Sequence, residues 1–230
     1  MISFRKIKKN MKNQKKFTID KLDLKKGYVY AILGHNGSGK STLLKLLYGI
    51  TNFESGSIII NKEGFNEKIV HKYISYHPQD TCYLSGSLED NFDYIYKYSN
   101  NEDLLDRGSL NELIKEFGLE DMLDINIKRL SGGEQAKFQF IRTLIMNKEC
   151  ILLDEPMASM DFDTIRIVEK KIKDLKEKNK TILLVTHDFL QAERLSDEVI
   201  FMQNLNIVEK YKSENFFKDF YFNNNCFFKL

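Results

Sequence analysis

The sequence predicts an α/β fold organised around a mostly parallel sheet, and three observations carry that expectation. Short apolar runs, GYVYAIL (27–33), CILLD (150–154), KTILLVTHD (180–188) and EVIFM (198–202), have the length and composition of strands buried on both faces. Stretches with helical apolar spacing lie between them, and that alternation implies βαβ units. The first run ends on a glycine-rich turn, GHNGSGKST, that opens straight into a helical pattern.

The elements follow in chain order. The first sixteen residues carry Arg5, Lys6, Lys8, Lys9, Lys12, Lys15 and Lys16 with no acid. Ile2, Phe4 and Ile7 make this an edge strand with a solvated face rather than a nucleic-acid or lipid patch. KKFTID (15–20) reads as a second short strand. In STLLKLLYGI the residues Leu43, Leu44, Leu46 and Leu47 give a helix, with Gly49 as its C-cap. GSIII (56–60) and KYISYH (72–77) read as further strands. From 81 to about 129 the chain turns acidic and aromatic, with helix signals and no strand pattern. SLNE (109–112) reads there as a capping box and Gly118 as a helix stop. This predicts a helical insertion, about 81–144, between two parts of one core, about 1–80 and 145–230. Beyond it, 162–178 is a charged helix, Asp188 caps another at DFLQ, and EVIFM is the last strong strand. Phe216, Phe217, Phe220, Phe222, Phe227 and Phe228 suggest a terminal helix packed on the core.

Bulk composition excludes several classes. Net charge is +2, from 35 basic and 33 acidic residues, so no global imbalance points to nucleic acid. Cys82, Cys150 and Cys226 form no CxxC pair, which predicts free thiols in a reducing compartment and no zinc site. No apolar run approaches the ~20 residues of a membrane span. The expectation is a soluble, cytoplasmic protein whose membrane role, where it has one, comes through a partner.

Two motifs carry chemistry. Gly34, His35, Asn36, Gly37, Ser38, Gly39, Lys40, Ser41 and Thr42 fit G-x-x-x-x-G-K-[ST] and its continuation. Backbone N–H groups in such a turn face phosphate oxygens, and the helix N-terminus favours the negative charge. Lys40 is expected to reach the β- and γ-phosphates and the Ser41 hydroxyl to ligate Mg²⁺. In ILLDEP, Asp154 stands where a strand end can hold Mg²⁺, and Glu155 can accept a proton from attacking water. Two acids after an apolar strand are often no more than a turn; the phosphate loop upstream favours the catalytic pair. Gln79 in YHPQD and His187 in LLVTHD also end strands, where ligands bind in open parallel sheets. RLSGGEQAKF (129–138) adds a second glycine pair at a helix start, although glycine in a helix costs ~1 kcal/mol against alanine. Ser131 alone would serve as an ordinary N-cap.

Taken in this order, these motifs strongly resemble an ATP-binding cassette (ABC) ATPase domain over nearly the whole chain. That resemblance implies the P-loop NTPase (RecA-like) fold, with an N-terminal antiparallel β subdomain and a helical subdomain that docks on a membrane permease. It implies ATP and Mg²⁺ as ligands and Gln79 as the Q-loop residue. It also implies a D-loop at 159–161 with Asp161, and His187 as the switch histidine. Ser131, Gly132, Gly133 and Gln135 would complete the γ-phosphate shell in trans, across a head-to-tail pair of cassettes. The partners implied are a second cassette, transmembrane permease subunits and a solute-binding protein, with the chain peripheral on the inner face of the cell membrane.

Three positions depart from the family pattern. Met11 stands near the usual adenine-stacking aromatic, and Phe17 nearby reads as strand core. A lost base stack is worth ~1–3 kcal/mol. Met157 replaces a common threonine or serine after the proline, and AKFQFIR replaces an arginine-rich helix start. THDFLQAERLSDEVIFM resembles the corresponding region of oxyanion importers of the tungstate and phosphate type. An exporter for bacteriocin immunity or drug efflux would share every catalytic residue. ABC proteins acting on ribosomes or DNA usually carry two cassettes, long coiled coils or zinc modules.

Overall fold

The computed structural model describes residues 2–11, 14–99 and 104–222, with Phe222 described by its backbone alone. Phe227, Phe228 and Cys226 lie outside the described residues. The continuous apolar runs form the centre, as expected of strands covered on both faces. These are β3 (Val29–Leu33), β7 (Cys150–Asp154), β8 (Thr181–Val185) and β9 (Glu198–Gln203), joined by β6 (Ile74–His77). They run parallel in the order β9-β3-β8-β7-β6.

The remaining strands extend the sheet on one side. β1 (Ile2–Asn10) and β2 (Lys16–Leu24) pair antiparallel, and β4 (Ser55–Ile60) and β5 (Glu63–Gly64) continue beyond β1. β10 (Asn206–Lys212) folds back on β9 and touches β2 through a single parallel pairing, Asn206 with Thr18. Among the described residues all ten strands belong to this one sheet.

Helices cover both faces. α1 (Lys40–Leu47) and α2 (Glu67–Tyr73) pack with β1, β2 and β4 around Phe4, Phe17, Leu44 and Leu183. On the other face lie α3 (Leu88–Tyr98), α4 (Arg107–Glu116), α5 (Gly132–Ile145) and α6 (Phe162–Glu177). They surround Phe92, Phe117, Phe138 and Phe140. α7 (Phe189–Leu195) and α8 (Ser213–Phe222) close a third cluster, in which Phe216 and Phe217 pack against Phe201. Phe220 stacks on Phe189 at 4.8 Å. No helix among the described residues is long and apolar enough to cross a membrane.

Four expectations change. β1 is not an edge strand, because it lies between β2 and β4; its exposed lysines mark a wet sheet face, which an inner antiparallel strand also has. KYISYH is not all strand: Lys72 and Tyr73 end α2, which Asn66 caps by accepting the Ile69 N–H at 3.0 Å. SLNE does not start its helix. Asp106 caps α4 by accepting the Ser109 N–H at 2.8 Å, so Ser109 already lies in the first turn. The capping boxes belong instead to Ser87 with Asp90 and to Ser131 with Glu134. β10 was not foreseen; Asn204 and Leu205, both at positive φ (49° and 65°), make the tight hairpin that creates it. Gly49 and Gly118, at φ 83° and 65°, follow the ends of α1 and α4 as predicted.

His77, the last residue of β6, is buried beside the Phe140 ring, and neither ring nitrogen makes a hydrogen bond of normal geometry. Burial, helped by the Arg142 guanidinium, pushes its pKa down to about 3. Between that value and the ~6.5 of an unfolded histidine, only the unfolded chain binds the proton. Stability therefore falls as pH drops below about 6.5, by roughly 2 kcal/mol at pH 5 from this group alone. Urea midpoints at pH 7.5 and 5.0 for wild type and His77→Leu test this: the variant should lose less on acidification, and equal losses would refute it.

Candidate active site

The parallel register decides which residues meet. Ile32 pairs with Val185, Val185 with Asp154, and Leu153 with His77. The carboxyl ends of β3, β8, β7 and β6 thus lie on one rim, and Gly34, His187, Glu155 and Gln79 follow them within two residues.

The turn after β3 needs its glycines. Gly34, Gly37 and Gly39 have φ of 150°, 77° and 104°. A Cβ at Gly34 would stand 2.1 Å from the Met202 carbonyl, and one at Gly39 would stand 3.0 Å from the Phe17 ring. Phe17 is thus core behind the loop, as its strand position predicts. His35, Asn36 and Gly37 face solvent while Ser38, Gly39 and Lys40 are buried. Lys40 Nζ donates to the carbonyls of Gly34 (2.8 Å) and His35 (3.1 Å). Burial lowers its pKa, and the carboxylates of Glu155 and Asp154 oppose that. Beside the loop lies a cleft of about 490 Å³ lined by Lys15, Lys16, His35, Asn36 and Gln203–Leu205; among the described residues its wall holds the His35 imidazole and no Phe or Tyr ring. Met11 is half-buried against the apolar cluster of the N-terminal strands.

Ser41 Oγ donates to Asp154 Oδ1 at 2.9 Å. The carboxyl is fully buried, which raises its pKa, while hydrogen bonds from Ser41 and Tyr76 oppose the rise. The Tyr76 hydroxyl reaches Asp154 Oδ2 at 3.3 Å. The sequence reading missed Tyr76; its signal was a polar ring two residues inside a strand that ends near Gln79. A hydroxyl and a carboxylate brought together offer the hard oxygen donors that suit Mg²⁺.

Glu155 adopts a left-handed backbone (φ 51°), tied down by its N–H to the Val185 carbonyl at 3.0 Å. Such a conformation in a non-glycine residue costs ~1 kcal/mol or more and is held by its surroundings. His187 Nε2 lies 2.8 Å from Glu155 Oε1. Met157, the departure after the proline, is buried and accepts a hydrogen bond on Sδ from Gln191 Nε2 (3.2 Å). Gln191 Oε1 in turn accepts from Thr186 Oγ1 (2.8 Å).

The other predicted groups stand as follows. Gln79 is exposed on the loop after β6. Asp161 caps α6, accepting the Thr164 N–H at 2.8 Å and its hydroxyl at 3.0 Å, and these bonds hold its pKa down. Ser131 caps α5 and is exposed, as is Gly132. A Cβ on Gly133 would meet the Ser159 carbonyl at 3.1 Å. Gln135 turns inward, its Nε2 donating to the Ile127 and Leu130 carbonyls at 3.1 Å.

Comparison with known proteins identifies the family. The family model described as "ABC transporter" matches residues 18–158. The tungstate uptake system ATP-binding protein TupC of Peptoclostridium acidaminophilum is 31% identical, covering 86% of this chain and 92% of its own length. The probable amino-acid import ATP-binding protein YxeO of Bacillus subtilis strain 168 is 32% identical, covering 94% of this chain and 91% of its own. Two ATP-binding relatives from Saccharolobus solfataricus are longer, and the chain spans 42% and 38% of them. Among solved structures, an ATP-binding subunit of an ABC transporter superposes with a TM-score of 0.83 at 22% identity, over 96% of this chain and 93% of that one. A dimeric ATP-binding cassette in a post-hydrolysis state, bound to ADP and Pi, gives 0.79 at 23% identity, over 93% and 99%. The phosphate-type loop, the paired acids at the sheet rim and these matches lead to one conclusion: the chain belongs to the ABC transporter family, as an ATP-binding member with the P-loop NTPase fold and an ATPase activity coupled to transport.

Proposed function

We propose that the chain is the ATP-hydrolysing subunit of a multi-subunit transporter, working as a pair of cassettes beneath permease subunits on the inner face of the cell membrane. The observation that carries this reading is the single rim on which the Ser41–Asp154 and Glu155–His187 pairs stand beside the glycine turn. Backbone N–H groups of 34–42 and the start of α1 bind the phosphates. Lys40 exchanges the Gly34 and His35 carbonyls for the β- and γ-phosphates. Ser41 and Asp154 would hold Mg²⁺ with Gln79 nearby, and the ion supplies charge neutralisation at the phosphates. Glu155 takes the proton of the attacking water, and His187 orients its carboxylate. Ser131 and Gly132, exposed at the head of α5, and the half-buried Gly133 face the phosphate loop of a second copy, and Asp161 lies at that junction. The dimeric cassette among the structural neighbours supports this pairing.

The helical segment 81–144 supplies the permease contact in this reading. A cleft of about 490 Å³ opens between Tyr48, Ile50, Tyr94, Tyr98 and Arg142. Tyr94 and Tyr98, both exposed, lie on its wall with ring centroids 4.4 Å apart and planes tilted by 37°. Exposed aromatic side chains beside the Gln79 loop suit a cytoplasmic segment of a permease. For the solute we favour an oxyanion delivered by a solute-binding protein, which the resemblance to the tungstate uptake protein supports.

Glu155→Gln should bind ATP normally yet hydrolyse it about 10²–10⁴ times more slowly, accumulating an ATP-bound dimer; wild-type turnover would remove Glu155 from the mechanism. Gly34→Ala, forced against the Met202 carbonyl, and Lys40→Ala should both lose ATP affinity at least about tenfold in nucleotide titrations. Normal affinity in Lys40→Ala would undo the phosphate-loop assignment. Affinity purification in mild detergent should recover a polytopic membrane protein. Recovery of ribosomes or DNA without one would overturn the transporter reading.

A further inference from the structure

The helix that opens on Ser131 also grips the loop that carries Gln79. Gln139 lies two turns into α5 and is 1% exposed. Its Nε2 donates to the Pro78 carbonyl at 2.5 Å, and its Oε1 accepts the Cys82 N–H at 2.9 Å. A donor on one side and an acceptor on the other fix which way round the amide sits. Pro78 immediately precedes Gln79 and Cys82 comes three residues after it, so one side chain brackets the exposed turn on both sides.

A second side chain joins the grip from the next turn of α5. Arg142 Nη1 donates to the Cys82 carbonyl at 2.6 Å, and its guanidinium lies 5.8 Å from the Phe138 ring. Between His77 and Gly86 the chain forms no helix or strand pairing. Its backbone groups near the core therefore need side-chain partners: Asn91 of α3 holds Leu84, and α5 holds Pro78 and Cys82. Burying an amide is unfavourable unless both its ends are bonded, so an apolar residue would fill this position more simply. The amide makes sense as a clamp.

We infer that Gln139 is a positioning residue for Gln79, tying the Q-loop to the same rigid helix whose head presents Ser131. The inference rests on the proposed placing of Gln79 at the metal and phosphate side of the site. Through this clamp, a shift of the Gln79 loop and a shift of the Ser131 turn become one movement of α5.

ATPase kinetics on the full chain test it, using Gln79→Ala, Gln139→Ala, the volume-keeping Gln139→Met, and the Gln79→Ala/Gln139→Met double variant. Each is paired with nucleotide titration by a fluorescent ATP analogue and with hydrogen exchange of the 79–84 amides. Gln139→Met should bind nucleotide within about twofold of wild type and lower kcat about ten- to hundredfold. The Cys82 amide should exchange faster in that variant, and the double variant should be no slower than Gln79→Ala alone. Wild-type kcat in Gln139→Met, with Gln79→Ala impaired, overturns the clamp and leaves the role of Gln79 standing. Multiplied losses in the double variant also overturn it, since Gln139 would then act independently of Gln79. Full activity in Gln79→Ala overturns both readings together. A variant in which kcat falls only as the folded fraction falls, with Cys82 exchange unchanged, assigns Gln139 to packing and overturns the clamp.

Discussion

Every group in the site depends on the register of β3, β8, β7 and β6, which have no exposed residue along their length. Covered on both faces, these strands satisfy their inward backbone groups by pairing with one another and, for β3, with β9. Their side chains alternate between the two faces of the sheet. Tyr30, Ile32, Leu152 and Leu183 enter one, while Val29, Ile151, Leu153 and Leu184 enter the other. A slip of one residue would send each set to the wrong face, with ~1.5–3 kcal/mol of burial at stake for every large side chain. The alignment of the carboxyl ends is thus fixed by the core, well away from any phosphate or metal. The rim inherits that alignment from the core.

Local strain sits where the core ends. Gly34 and Gly39 occupy positive φ against the Met202 carbonyl and the Phe17 ring, and Glu155 occupies it with a side chain. The glycines take these angles without the steric cost a side chain brings, whereas Glu155 is strained and is held by its N–H bond to the Val185 carbonyl. The buried charges follow the same pattern. Asp154, with no exposure, keeps its two oxygens on the hydroxyls of Ser41 and Tyr76. The Lys40 ammonium keeps its protons on loop carbonyls. These are partners that phosphate oxygens and a cation can replace one for one, so binding trades hydrogen bonds and does not need to create a site.

Much of this was legible from residues alone, and the exceptions have physical causes. The central strands could be read because burial on both faces leaves an unbroken apolar run. The phosphate loop could be read because few sequences other than its own place three glycines, lysine and serine between a strand and a helix. β10 was hidden because its residues are mostly polar and largely uncovered; its existence depends on a turn at Asn204 and Leu205. The extent of α2 was hidden because Tyr73, Ile74 and Tyr76 mimic a strand pattern across the junction. Ser109 mimicked a cap because a serine three residues before an acid looks the same at the head of a helix as inside its first turn. Tyr76 and Gln139 escaped for another reason. What they do is set by Asp154 and by the Pro78–Cys82 backbone opposite, and those juxtapositions are tertiary.

The paired glycines at the head of α5 divide into two separate cases. Gly133 has a reason within the chain, since the Ser159 carbonyl comes to 3.1 Å of where its Cβ would be. That close approach fastens the segment leading to Asp161 against the helix head. Gly132 has no such neighbour: a Cβ there would meet nothing within 4 Å. Helix stability also argues against glycine at that position, because alanine would be better by up to ~1 kcal/mol. Neither packing nor propensity within one chain accounts for it. In the proposed pair of cassettes, phosphate oxygens held by the second copy would come up to the bare backbone of α5 at Gly132, and that reading gives the glycine a use. The exposed Ser131–Gly132 turn is thus the feature of the single chain that the proposed pairing explains and the single chain does not.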